Sequence, residues 1–178
     1  MITKEMVRAV ADRLYDINEH VETLYVLTKM CLLHNKKGVV VELGTGNMAN
    51  STVPILRACQ EMNATLVTTD VGYTVHPAVD GEPNLIKRND ESVKMGLDWD
   101  EEVDMIFLDT SHTFEQTEKE IEVWMPFLKI NGMFIFHDTN LYWSGVYTAI
   151  NNYLKGKENY IFYNFTNNNG LGIILKVK

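Results

Sequence analysis

The apolar positions change their spacing along the chain, and this change predicts the order of the elements. Apolar residues recur at a helical spacing from Met6 to Leu14, and a second helical stretch runs from about 19 to 34. From residue 38 onward, short continuous apolar runs alternate with helical segments, which is typical of buried parallel strands joined by helices. The pattern predicts N-terminal helices over 1–37 and an α/β core over 38–178.

Seven runs read as strands, and the last two differ from the others in their connection. The runs cover 39–42, 64–70, 84–87, 104–109, 133–136, 160–165 and 171–177. Only the last pair is joined by a short turn, Thr-Asn-Asn-Asn-Gly, so we expect an antiparallel hairpin there. The expected fold is a Rossmann-like three-layer α/β sandwich with a mostly parallel sheet. Ligands of such sheets bind at the carboxyl ends of the strands.

The length and the charge of the chain indicate a single domain and argue against nucleic acid as a partner. The 178 residues fit one domain, 1–178, and carry 24 acidic and 16 basic side chains, for a formal charge of −8. An acidic surface repels phosphate backbones, so we expect no nucleic acid partner. No apolar run approaches the roughly 20 residues of a membrane span, so we expect no membrane association and a cytoplasmic protein.

A glycine-rich turn follows the first predicted strand, with the sequence Glu42-Leu-Gly44-Thr-Gly46. Glycines at this point allow a tight turn and a close approach of a ligand to the backbone. The spacing alone also fits a nicotinamide or flavin site. However, the Glu42 carboxylate would repel a pyrophosphate, whereas it would attract the sulfonium and ammonium groups of S-adenosylmethionine. We therefore favour a cationic nucleoside and keep the dinucleotide as the alternative.

The same turn resembles the first motif of the class I S-adenosylmethionine-dependent methyltransferases. Asp70, at the end of the second strand, matches the ribose-binding acid of that family, and Asn89-Asp90 matches the segment bordering the adenine. Met48 departs from the pattern because it replaces the third glycine. The resemblance implies cofactor contacts from Glu42, Gly44, Thr45, Gly46, Ser51, Asp70, Val71, Asn89, Asp90 and Asp109.

A closer resemblance is to the small O-methyltransferases grouped with the macrocin and cephalosporin-hydroxylase-like proteins. It rests on Asp109-Thr-Ser-His112-Thr-Phe-Glu, on Leu128-Lys-Ile-Asn-Gly132 and on His137-Asp138-Thr. The likeness covers roughly residues 20 to 178. It implies transfer of a methyl group to a hydroxyl oxygen.

Four ionisable residues follow two predicted strands that should be neighbours: Asp109, His112, His137 and Asp138. In the resembling metal-dependent enzymes, acids at these positions bind the ion, which implies Asp109 and Asp138 as Mg²⁺ ligands. A metal-free alternative uses His112 or His137 as the general base, with Asp109 beside them. A mixed His/Asp site for Zn²⁺ or Mn²⁺ and a purely structural role also stay open.

The expected function is therefore methylation of a hydroxyl in a small metabolite or sugar. The alternatives are a non-catalytic module that binds S-adenosylmethionine or a related nucleoside, and a nicotinamide-dependent oxidoreductase. Little chain is available for an acceptor pocket, so the acceptor is small or a second subunit of a homodimer completes the pocket. The loop Val71–Pro83 is either a lid or a plain connection, and Tyr142-Trp143 is either an acceptor floor or core. The other histidines are read as surface or packing residues: His20, His34 and His76.

Overall fold

The computed structural model describes residues 1–12, 17–33, 35, 37–72, 76–140, 142 and 144–178. Its strands are β1 Val39–Leu43, β2 Thr65–Thr69, β3 Leu85–Arg88, β4 Val103–Leu108, β5 Leu128–His137, β6 Tyr160–Phe165 and β7 Leu171–Lys176. Its α-helices are α1 Lys4–Ala11, α2 Val21–Leu32, α3 Thr52–Met62, α4 Ser92–Leu97, α5 Phe114–Trp124 and α6 Ser144–Leu154. Two short 3₁₀ segments cover Asn18–His20 and Met125–Phe127.

The strands form one twisted sheet in the order β3-β2-β1-β4-β5-β7-β6. The first five strands pair in parallel, and β7 is antiparallel to both β5 and β6. The direction of the sequence order reverses between β1 and β4, and ligands of open α/β sheets bind outside such a point. The mostly parallel sheet with a C-terminal antiparallel hairpin is confirmed.

Successive side chains of the central strands enter two separate cores, because side chains alternate across a sheet. Val40, Phe107 and Ile135 pack on the face covered by the N-terminal helices and α3. Val41 and Phe134 pack on the opposite face, with α5 and α6. The three-layer arrangement therefore follows from continuously apolar strands that are buried on both faces.

Asn131-Gly132 precedes the predicted strand 133–136 and is typical of a turn that opens it, but this expectation is wrong. Asn131 and Gly132 lie inside β5, and the β4–β5 register shifts between Val103 and Met105. Asn131 has a φ of 67°, a left-handed conformation that Asn tolerates. The segment that reads as a turn is therefore a bulge within a long strand.

The N-terminal helices pack on the parallel sheet rather than standing apart from it. Ile2 and Val10 are buried in the same core as α2 and α3. The loop between β2 and β3 is also partly anchored, since Val79 is buried and Asp80 pairs with Lys87 at 2.6 Å. Residues 73–75 of the predicted lid, as well as Leu14, His34 and Trp143, lie outside the described residues. In the described part of the chain, no helix is long and apolar enough to cross a membrane.

Candidate functional site

A cavity of about 670 Å³ opens at the carboxyl ends of β1, β2, β3 and β4. Most of the predicted cofactor residues line it, namely Gly44, Thr45, Gly46, Ser51, Asp70, Val71, Asp90 and Asp109. His112 also lines it, together with residues that the sequence did not single out for this site, Ile17 and Gln116 among them. The topology thus brings segments separated by up to about a hundred residues to one opening.

The glycine turn is held open by its contact with the end of β4. Gly44 has a φ of 88°, and a Cβ placed there would lie 1.9 Å from the carbonyl oxygen of Asp109. No other residue fits such a close approach without moving the backbone. The end of β1 and the end of β4 are therefore in direct contact, which places Asp109 beside the turn.

Glu42 does not line the cavity, which corrects the expectation of a direct cofactor contact. Its carboxylate is fully buried and accepts hydrogen bonds from Ser51 Oγ at 2.7 Å, Thr52 Oγ1 at 2.9 Å and Thr68 Oγ1 at 2.6 Å. Ser51 therefore uses its hydroxyl to bind Glu42 and makes no capping bond to α3. The acid connects β1, β2 and the start of α3 beneath the turn.

Burial governs the ionisation of Glu42. It raises the pKa of the carboxyl to about 7, and the three hydroxyl donors lower it only in part. The attraction between Glu42 and a cationic ligand, on which the sequence argument relied, is therefore weaker than an exposed carboxylate would provide. The role of this acid is mainly to shape the turn.

Asp70 and Asp90 lie on the side of the cavity formed by β2 and β3. Asp70 Oδ2 accepts a hydrogen bond of 2.8 Å from the backbone N–H of Gly46, which ties the ribose-acid position to the glycine turn. Asn89 does not line the cavity, contrary to its predicted cofactor contact. Its Oδ1 instead accepts a hydrogen bond of 2.9 Å from Gly72 N and so supports the loop after Asp70.

The four predicted acceptor-side residues meet at the ends of β4 and β5. His112 Nε2 lies 3.0 Å from Asp109 Oδ1 and 2.8 Å from Asp138 Oδ2, so it bridges the two carboxylates. His137 Nδ1 lies 3.6 Å from Asp109 Oδ2 and 3.4 Å from Asp138 Oδ2. We call these four residues the carboxylate–imidazole cluster. Asp109 belongs to this cluster, and its backbone also contacts the glycine turn.

In the cluster, the carboxylates stabilise the protonated imidazoles, and the imidazoles stabilise the ionised carboxylates. Hydrogen bonding to Asp109 and Asp138 raises the pKa of His112 to about 9. Burial opposes the charge on His137, but the two carboxylates outweigh it and raise its pKa to about 10. Burial likewise opposes ionisation of Asp138, yet both imidazoles hold its pKa well below the usual range. The cluster therefore contains two carboxylates and two imidazolium groups at neutral pH.

The backbone of the cluster is strained at two residues, and some of its buried polar atoms lack a hydrogen-bond partner among the described residues. His112 has a φ of 58° and Asp138 a φ of 56°, a left-handed conformation that costs a non-glycine residue on the order of 1 kcal/mol. Within the described residues, both ring nitrogens of His137 and Oδ1 of Asp138 are buried and have no hydrogen-bond partner. Buried polar atoms are rarely left so, and a bound group is one way to satisfy them.

The cluster fits a divalent cation by its donor atoms. Asp109, His137 and Asp138 each offer one ligand atom, and these atoms lie within 4.8 Å of one another. Two of the three residues carry the unpartnered atoms described above. One imidazole nitrogen with two carboxylate oxygens is a donor set for Mn²⁺ or Zn²⁺ more than for Mg²⁺, which prefers oxygen alone.

His20 packs against this cluster. Of the two roles expected for it, the packing role is correct and the surface role is wrong. It is 3% exposed, and its ring centroid lies 6.0 Å from that of His137. Its Nε2 lies 3.1 Å and 3.2 Å from the backbone carbonyls of Asn167 and Asn168 in the β6–β7 turn. No local pattern signals this contact, because the partners are 147 and 148 residues away.

The sequence Thr-Phe-Glu-Gln over 113–116 is typical of a capping box at the start of α5, and the structure forms only half of it. Gln116 N donates to Thr113 Oγ1 at 3.4 Å. The Gln116 side chain does not return to the backbone of Thr113 but extends to the first residues of α4. A residue assigned to helix capping thus forms part of the cavity wall.

Residues 41–139, more than half of the chain, match the profile of a protein family described as "Methyltransferase domain". No curated protein sequence matches the chain significantly. Among solved structures, the SAH-bound methyltransferase PaMTH1 from Podospora anserina is similar, with a TM-score of 0.67 and 13% identity over 98% of this chain and 87% of that one.

Two further solved structures with a similar fold are described as an O-methyltransferase and an rRNA methylase. The O-methyltransferase NovP has a TM-score of 0.67 and 14% identity over 90% of this chain and 80% of that one. An rRNA methylase from Streptococcus thermophilus has a TM-score of 0.61 and 15% identity over 89% of this chain and 96% of that one. At these identities the structural likeness concerns the fold, and the family assignment rests on the sequence profile. The chain belongs to the methyltransferase-domain family and is a class I S-adenosylmethionine-dependent methyltransferase.

Proposed function

We propose that the chain transfers the methyl group of S-adenosylmethionine to a hydroxyl oxygen of a small acceptor. The observation that carries this proposal is the position of Asp109, which lines the cofactor cavity and also belongs to the carboxylate–imidazole cluster. A cofactor in the cavity would present its methyl group next to groups that can orient and deprotonate a hydroxyl. The similarity to the O-methyltransferase NovP supports the choice of oxygen.

The cofactor would extend from the glycine turn to the ends of β2 and β3. One oxygen of Asp70 is engaged by Gly46 N, and the other can accept a hydrogen bond from a ribose hydroxyl. Asp90 and the first residues of α4 would border the adenine. The methionine part would lie along Gly44, Thr45 and Gly46, whose backbone faces the opening.

The protein has little chemistry to perform on the methyl donor, because a sulfonium is a good leaving group. Its main task is to align the acceptor oxygen, the methyl carbon and the sulfur. Asp109 Oδ2 would accept the hydrogen bond of the acceptor hydroxyl and so point its lone pair at the methyl group. The same carboxylate would take up the hydroxyl proton as the O–C bond forms and the S–C bond breaks, which leaves S-adenosylhomocysteine. The imidazolium groups of His112 and His137 keep that carboxylate charged.

The raised pKa values of the two histidines bear on the choice between a metal-free and a metal-assisted site. An imidazole whose pKa is about 9 or 10 is already protonated at neutral pH and cannot act as a general base there. We therefore extend the proposal to a divalent cation held by Asp109, His137 and Asp138. Such an ion would displace the proton of His137, because only a neutral imidazole nitrogen binds a metal, and it would then stabilise the two carboxylates in place of that proton. Such an ion would lower the pKa of a bound hydroxyl when present. Mg²⁺ is retained as a candidate beside Mn²⁺ and Zn²⁺.

A small, non-anionic acceptor fits the cavity better than RNA does. The described lining carries the carboxylates of Asp70, Asp90, Glu91 and Asp109, and no Lys or Arg among its described residues. With a formal charge of −8, the chain also lacks the general attraction to phosphates that RNA binding needs. A second subunit that completes the acceptor pocket stays part of the proposal.

The experiment is a transfer assay with methyl-labelled S-adenosylmethionine and a panel of hydroxyl, amine and carboxylate compounds, with and without each divalent ion. We expect label in hydroxyl compounds only, with a loss of at least about 100-fold in Asp109→Asn. Asp98→Asn, which changes an exposed acid, is the control and should keep full activity. Label transferred to amines alone, or an active Asp109→Asn variant, would overturn the proposal. A thermal shift of the free protein by Mn²⁺ or Zn²⁺ that Asp138→Asn abolishes tests the metal separately.

A further inference from the structure

The wall of the cavity between the first residues of α4 and α5 is organised around a buried acid, Glu120. Its carboxylate is fully buried. It accepts hydrogen bonds from Ser92 Oγ, from Thr110 Oγ1 at 3.0 Å and from Gln116 Nε2 at 3.1 Å. Ser92, Thr110 and Gln116 all line the cavity, whereas Glu120 lies behind them. The Glu120 carboxylate therefore accepts a side-chain hydrogen bond from each of three lining residues.

The orientation of the Gln116 amide follows from this arrangement. Its Nε2 also lies 3.3 Å from Glu91 Oε1 and 3.3 Å from Ser92 Oγ, so its N–H groups face oxygens of the protein. Within the described residues, no donor reaches its Oε1. The carbonyl oxygen is thus the atom of this side chain that is left for a ligand, and an amide oxygen only accepts.

The neighbouring side chains add more acceptors to the same wall. Asp90 and Glu91 line the cavity next to Gln116, and their carboxylates accept hydrogen bonds when ionised. The hydroxyl hydrogens of Ser92 and Thr110 are committed to Glu120. The side chains of this wall therefore present acceptors to the cavity and keep their donors behind it.

Purine bases differ in what they offer to such a wall. Adenine has an exocyclic amino group that donates, whereas hypoxanthine has an oxygen there that only accepts and carries its hydrogen on the neighbouring ring nitrogen N1. A site whose acceptors face the exocyclic position rejects an analogue without a donor at that position, because those acceptors are then left unpaired. We propose that Gln116, with Glu120 as its positioning residue, selects the amino group of the adenine and so makes the cavity specific for adenosyl over inosyl cofactors.

This inference rests on the proposed location of the cofactor, with the ribose at Asp70 and the base beyond it. The base then enters the space between Asp90 and Gln116, since both line the same part of the opening with the α4 start between them. The contact between α4 and α5 is tight, because Trp124 Nε1 donates to Ser92 O at 3.0 Å. We therefore expect the wall to keep its shape and to present its acceptors to the base in fixed positions.

The test compares S-adenosylhomocysteine with S-inosylhomocysteine by titration calorimetry on the purified full chain. In the unchanged protein we expect the adenosyl compound to bind about 100-fold more tightly. Gln116→Leu should lower that ratio to about tenfold or less, chiefly by weakening the adenosyl compound. Glu120→Gln introduces a donor behind the wall, and we expect it to lower the ratio by about tenfold. Glu122→Gln, an exposed position on the same helix, should leave the ratio unchanged.

Equal affinities in the unchanged protein would overturn the inference and leave the cofactor cavity itself intact. The same conclusion follows if Gln116→Leu keeps the ratio while its thermal unfolding midpoint and circular dichroism match those of the unchanged protein. The ratio isolates selectivity from general damage, because a merely structural change weakens both compounds alike. Failure of both compounds to bind the unchanged protein would contradict the proposed cofactor site, and the inference with it.

Discussion

Glu42, in β1, and Asp138, directly after β5, are both buried carboxylates, but their surroundings are opposite. Glu42 accepts hydrogen bonds from the hydroxyls of Ser51, Thr52 and Thr68, and its pKa is raised to about 7. Asp138 has imidazoles for neighbours, a lowered pKa and an Oδ1 with no partner among the described residues. A satisfied acid among neutral donors supports the backbone, whereas a charged acid with a free oxygen is suited to bind a ligand.

The largest expected effect comes from removing the charge of Asp138 on the acceptor side of the site. Asp138→Asn removes one charge that His112 and His137 share, and Asp138 does not line the cofactor cavity. We expect methyl transfer to fall at least about 100-fold. The affinity for S-adenosylhomocysteine should stay within about threefold, because no contact to the nucleoside changes. Single-turnover transfer and titration calorimetry measure the two quantities, and equal losses in both would contradict a role confined to the acceptor side.

The next effect concerns the stability that depends on Glu42. The folded-state pKa of about 7 lies above the ordinary 4.5, so the folded protein holds a proton that the unfolded chain has lost between these pH values. The contribution of Glu42 to stability is therefore full below pH 4.5 and is lost as the pH rises through 7. Its full size is about 3 kcal/mol, most of which is lost between pH 5 and pH 8.

Glu42→Gln cannot ionise and should lack this decline. Urea unfolding at pH 5 and pH 8 gives the free energy of unfolding for both proteins, and the difference between them isolates the Glu42 contribution. We expect the unchanged protein to lose about 2–3 kcal/mol more than the variant over this interval. Parallel pH dependences would show that Glu42 is ionised in the folded protein, and the contrast with Asp138 would then disappear.

The smallest effect concerns the contact between the N-terminal segment and the β6–β7 turn. His20→Ala removes a buried ring and its contacts to the carbonyls of Asn167 and Asn168. We expect a loss of about 1–2 kcal/mol in the free energy of unfolding. His76→Ala, in the β2–β3 loop, should cost no more than about 0.5 kcal/mol. Similar losses in the two variants would show that His20 is not a specific link to the cluster.

The sequence predicts the sheet well, because the patterns that define strands and helices lie within short stretches of the chain. Continuously apolar runs such as Met105–Leu108 need burial on both faces, and helical periods between them leave few arrangements. The elements therefore appear close to their predicted bounds, except at β5. There, Asn131 and Gly132 satisfy the local rules for a turn, and only the pairing with β4 shows that they form a bulge.

The site is less accessible to prediction, because its decisive contacts are long-range. The residue types at the strand ends predict that Asp109 and Asp138 meet, since neighbouring parallel strands end at one edge. The sequence does not show in which direction a side chain at a strand end points. Glu42 turns away from the cavity to three hydroxyls from two other segments, and His20 reaches its partners across almost the whole chain. Neither contact has a local signal.

A calorimetric titration of the purified chain with S-adenosylhomocysteine and, separately, with NADH tests which nucleoside the cavity holds. We expect binding of S-adenosylhomocysteine at a single site and no measurable heat with NADH. Asp70→Asn should weaken the nucleoside by about tenfold, because the ribose hydroxyls lose a charged acceptor. Binding of NADH without S-adenosylhomocysteine, or nucleoside binding that is indifferent to Asp70, would contradict the central claim that this cavity holds the methyl donor.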